Sequence, residues 1–65
     1  MKKRDVDRML ASLGYTLLKG GMRGGIHDKW VNANGKYPVS VPRHGEIGEG
    51  LAFRIIKSAR SNKDK

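Results

Sequence analysis

Residues 26–41 read IHDKWVNANGKYPVSV, and the fold turns on them. Two runs rich in β-branched and aromatic residues flank the dipeptide Asn34-Gly35. Such runs favour strands, and Asn-Gly between them favours a hairpin, because both central residues of a tight type I′ turn need positive φ. The stretch therefore predicts a strand over 26–32, a turn over 33–36 and a strand over 37–41. Tyr37, Val39 and Val41 alternate with Pro38 and Ser40. Proline has no N–H to give a ladder, so this strand should lie at an edge or begin late. Side chains alternate across a strand. His27, Lys29 and Val31 thus share one face, and Asp28, Trp30 and Asn32 share the other. Trp30, the large aromatic of this arm, is assigned to the core. His27 and Lys29 are left on the open face.

Upstream, KKRDVDRMLASLG (2–14) places Val6, Met9, Leu10 and Leu13 at i, i+3, i+4 and i+7, the stripe of an amphipathic helix. Gly14 follows the last apolar position, where a left-handed capping residue belongs. YTLLK (15–19) reads as a short strand that Gly20-Gly21 ends. Downstream, PRHGEIGEG (42–50) reads as a loop and LAFRIIKSA (51–59) as a second helix, with Leu51, Ile55 and Ala59 on one face and Ala52 and Ile56 beside them. RSNKDK (60–65) is polar and expected to fray. The predicted organisation is one domain over 1–60 with a flexible polar tail over 61–65. Strands cluster between helices instead of alternating with them. That order predicts an α+β fold, α-β-β-β-α, with a three-stranded antiparallel sheet and both helices on one face.

Fourteen Lys and Arg face six Asp and Glu, a formal net charge of +8 on 65 residues. So basic a small domain suits a polyanionic partner, nucleic acid first, or an acidic protein. No amphipathic segment carries the aromatic and basic faces of a membrane-surface helix, and no apolar run reaches the ~18 residues of a membrane span. There is no cysteine, which removes disulfides and thiolate zinc sites and fits a reducing cytoplasm. A core this small retains about 3–5 kcal/mol of net stability, so a bound partner would add usefully to it.

His27 lies near Arg23, Gly24, Gly25 and Lys29 in sequence. Glycines let a phosphate approach the backbone and its N–H groups, while Arg23 and Lys29 offer it positive charge. Imidazoles exchange protons near neutral pH. The combination suits RNA cleavage, in which the 2′-hydroxyl is an internal nucleophile that needs only deprotonation and help for the leaving group. No Walker phosphate loop is present. His27 and His44 lack the carboxylates that would complete a metal site. Neither a metal nor a cofactor is expected.

The helix ending in LGY (13–15), the Gly-x-His-x-x-aromatic motif GIHDKW (25–30) and VSVPRHGEIGEGLAFRIIK (39–57) together resemble the HicA family of toxins over about residues 3–59. The family consists of small cytoplasmic mRNA endonucleases of toxin–antitoxin pairs, with a fold like that of double-stranded-RNA-binding domains. The resemblance implies that His27 is the catalytic residue and that Arg43 and His44, in the PRH segment, bind RNA or support the site. Ile26 stands where the family usually carries a small hydroxyl residue. The resemblance also implies an acidic HicB-type antitoxin as partner, expected to cover His27 and its basic surroundings and to exclude mRNA. Competing readings are a non-catalytic RNA-binding module of the same fold, which Ile26 favours, and a DNA-binding or purely protein-interaction domain, which the use of both helix stripes in the core disfavours.

Overall fold

A computed structural model describes residues 1–18, 27–43 and 45–65. The elements run α1 (Lys3–Ser12), β1 (Thr16–Leu17), β2 (His27–Val31), β3 (Val39–Pro42) and α2 (Glu49–Asn62). The strands form one antiparallel sheet in the order β1-β2-β3. This is the α-β-β-β-α order that the sequence predicts. Among the described residues no helix is long and apolar enough to cross a membrane.

The amphipathic stripe of α1 buries Val6 and Leu10 completely. Its C-terminus closes as a Schellman motif: the Tyr15 N–H donates to Leu10 C=O at 3.0 Å and the Gly14 N–H to Ala11 C=O at 3.0 Å. Gly14 has φ +90°, so the glycine expected to cap the helix does so in the left-handed conformation that a side chain would oppose. The reversal drops Tyr15 into the core beside Leu10. Its hydroxyl donates to the Ala59 carbonyl of α2 at 3.0 Å.

The hairpin lies where Asn34-Gly35 predicts it, but its turn is different. Only Gly35 of the pair has positive φ, +72°, so no type I′ turn forms. Instead the Gly35 N–H donates to Asn32 C=O and the Asn32 N–H to Lys36 C=O, both at 2.9 Å. The Asn32 side chain sets this longer loop. Its Oδ1 accepts from the Asn34 N–H at 3.0 Å and the Lys36 N–H at 2.8 Å, an arrangement that competes with the tighter turn. Beyond the loop the ladder pairs Trp30 with Val39, one residue out of step with the Asn32–Lys36 closure. Tyr37, at φ +54°, absorbs the extra residue as a bulge does. β3 then starts just after Pro38, as its missing N–H requires.

The second helix is longer than its apolar core suggests and runs through Asn62. The polar tail expected from Ser61 onward therefore begins inside the helix. Asn32 reaches across to it: Nδ2 donates to the carbonyls of Asn62 at 2.7 Å and Lys65 at 2.8 Å. Asn32 is 1% exposed, and its amide joins the hairpin to the last residue of α2 and to Lys65 beyond it. The buried stripe of α2 is Ala52, Ile55, Ile56 and Ala59. Leu51, expected on that stripe, is exposed, because the i, i+3, i+4, i+7 set begins one residue later.

Both helices cover the same face of the sheet. Trp30, Val39 and Val41 join Val6, Leu10, Ile55 and Ile56 in one apolar cluster.

Candidate functional site

The register decides what shares the open face. His27 pairs with Pro42, Lys29 with Ser40 and Val31 with Thr16. On the covered face Asp28 pairs with Val41 and Trp30 with Val39. The face expected for each β2 residue agrees with this: Trp30 belongs to the core cluster, and Val31, though buried, does not. His27 and Lys29 are half-buried on the side away from the helices. Cross-strand neighbours on one face stand about 4.5–5.5 Å apart at Cβ, so Ser40 places a hydroxyl beside Lys29. Ser40 is a site neighbour that strand alternation alone does not find, since it needs the register between two strands.

Behind His27, the covered face holds an ion network. Asp28 Oδ2 lies 2.8 Å from Lys3 Nζ, and Asp28 Oδ1 accepts from Arg43 Nε at 2.7 Å. Lys3 Nζ also lies 2.6 Å from Asp7 Oδ2. The bond from Lys3 holds the Asp28 carboxyl below the usual carboxylate range; burial opposes this and the Arg43 bond adds to it. Burial disfavours the charge on Lys3, but its bonds to Asp28 and Asp7 outweigh that and raise its pKa. The network ties the start of α1, the start of β2 and the end of β3 together, with Asp28 as the shared acceptor. Asp28 looks out of place on a core face in the sequence; Lys3 and Arg43, far from it in the chain, account for it.

Arg43, expected to bind RNA, follows Pro42, the pairing partner of His27. Its Nε is committed to Asp28, and about half of its side chain is exposed. The guanidinium therefore leans toward the Asp28 side of the sheet edge. Arg23, Gly24, Gly25 and His44, the other residues expected to bind RNA, lie outside the described residues, as does Ile26. Among the described residues, no three His, Asp or Glu side chains gather as a metal ion would need. The arrangement offers one imidazole and one ammonium on an open sheet face, with a hydroxyl beside the ammonium and an arginine at the edge. Such a set can exchange a proton and attract an anionic ester.

No curated protein and no solved structure matches the chain. A family model described as HicA toxin of bacterial toxin-antitoxin matches residues 4–60.

Proposed function

The chain belongs to the HicA toxin family of bacterial toxin–antitoxin systems, and from that premise we propose that it is an endoribonuclease that cleaves mRNA in the cytoplasm without a metal ion. The observation that carries this reading is the shared placement of His27 and Lys29 on the sheet face that neither α1 nor α2 covers. His27 acts as general acid/base. It takes the proton of a 2′-hydroxyl, whose oxygen attacks the adjacent phosphorus while the 5′-oxygen leaves with a proton from water or a neighbouring group. Lys29 faces the developing negative charge, with Arg23, the Gly24-Gly25 backbone, Arg43 and His44 as further phosphate contacts. General acid–base catalysis by one positioned group contributes about 10²–10⁴ in rate.

An acidic antitoxin that covers this face inhibits by occlusion. Desolvating Lys29 and the basic groups around it costs free energy unless carboxylates replace the lost water. Partner and RNA therefore compete, and Lys29→Glu weakens both. The deciding experiment incubates the purified protein with a labelled single-stranded RNA in EDTA, beside its His27→Ala variant. Cleavage by the parent alone supports the reading. RNA binding without cleavage by the parent supports the non-catalytic module that Ile26 favours, and cleavage by both removes His27 from the chemistry.

A further inference from the structure

Across the outer side of the two helices runs an apolar groove that takes no part in the site above. Met1 and Met9 meet Ala52, Phe53 and Ile56 along it, and its volume is about 840 Å³. Phe53 is 65% exposed. A single exposed apolar side chain is ordinary, but one continuous with an apolar groove marks a contact surface. The charged residues along the groove are Glu49, Lys57 and Arg60, all exposed. Lys57 Nζ lies 5.9 Å from the centroid of the Phe53 ring.

We propose that this groove docks an amphipathic helix from an acidic partner protein. Helix-in-groove recognition uses apolar anchors at helical spacing with charged flanks. The groove presents the complement: Phe53, Ile56 and Arg60 stand at i, i+3 and i+7 on α2, a track that a second helix can follow by ridge-into-groove packing. Carboxylates on the flank of the incoming helix meet Lys57 and Arg60. Two cations against one carboxylate, on a chain of net charge +8, select an acidic partner and speed its approach. A second copy of this chain is disfavoured, because it would bring a second chain of net charge +8 against the first. A small-molecule site carries polar groups that converge on its interior, whereas here the floor is apolar and the polar groups are exposed. The groove lies on the helix layer, so a helix seated there leaves the His27 face of the sheet uncovered. The inference stands apart from the catalytic reading.

The test titrates the full-length 15N-labelled chain with a helix-forming peptide that carries Leu at i, i+3, i+4 and i+7 and Glu on both flanks. A matched peptide has Lys in place of each Glu. We expect amide shifts at Met9, Ala52, Phe53 and Ile56 with the Glu peptide and none at His27 or Lys29. Phe53→Asp should weaken binding at least ~10-fold, as loss of a central aromatic anchor does. The double variant Lys57→Glu/Arg60→Glu should lose the Glu peptide and gain the Lys peptide. All three side chains are exposed, so the folds should persist, and circular dichroism checks this. Equal binding of both peptides, binding of neither, or shifts confined to the sheet face would overturn the proposal. So would groove shifts caused by a short RNA, or a dimer in sedimentation that Phe53→Asp dissolves, which would make a second copy the occupant.

Discussion

Five consecutive residues of β2 build two faces that obey different physics. On the helix side, Trp30 packs into a cluster with residues of both helices and β3, and Asp28 is held by Lys3 and Arg43. On the other side, His27 stands opposite Pro42 and Lys29 opposite Ser40, with Val31 of the same face opposite Thr16. The covered face is set by volume and charge partners from distant parts of the chain. The open face packs against neither helix, so His27 and Lys29, both only half-buried, keep surface available for chemistry. Substitution on the first face should therefore act through stability, and on the second through activity.

The sharpest break of this contrast comes from Trp30. Trp30→Ala should cost about 3–5 kcal/mol, the whole of what so small a core retains. The variant should be largely unfolded by circular dichroism at 25 °C. A folded Trp30→Ala protein that has lost RNA binding would reverse the two faces and turn Trp30 into a base-stacking residue.

His27→Ala tests the other side. Cleavage should fall by ~10²–10⁴ or more, while the unfolding free energy in urea stays within about 1 kcal/mol of the parent, as for a side chain outside the core. A variant that melts as Trp30→Ala does would show that both faces are structural.

Asp28→Asn separates charge from packing on the covered face. It should cost about 1.5–3 kcal/mol at pH 7, the range for a hydrogen bond to a charged group, with the half-exposed Arg43 contributing the smaller share. Because its partners lower the Asp28 pKa, the stabilisation is present above the ordinary carboxylate range, near pH 4. It is lost as pH falls through the lower value of the folded state. The parent should thus lose stability on acidification below about pH 4, and the variant should show a flatter acid limb. Lys3 has a raised pKa, so its contribution is complete at neutral pH and disappears only in strong alkali. Thermal melts from pH 2 to 7 check the acid limb; identical limbs would show that the network adds nothing to folding.

The smallest effect concerns the bulge that sets the register. Tyr37 holds φ +54°, where a residue with a Cβ is disfavoured and glycine is not. Tyr37→Gly should raise stability by about 0.5–1 kcal/mol, read as a higher urea midpoint at unchanged slope. A lower midpoint would mean that contacts of the tyrosine ring outweigh the backbone strain.

Features legible in the sequence are those that local spacing decides. The α1 stripe, the cap at Gly14, the hairpin around Asn34-Gly35 and the two faces of β2 each follow from periods of 3.6 or 2 and from residues that tolerate positive φ. His27 and Lys29 are readable as an open-face pair for the same reason. Tertiary structure decided what depends on partners far away in the chain. Asn32 gives no local sign that its amide will join the hairpin to Asn62 and Lys65, yet that side chain overrides the two-residue turn. Asp28 reads as a misplaced charge until Lys3, 25 positions earlier, and Arg43, 15 later, are brought beside it. Leu51 fits a helical stripe as well as Ala52 does, and only the direction in which α2 meets the sheet leaves Leu51 exposed. Local periodicity settles which residues can share a face; long-range packing and charge pairing settle what each face meets.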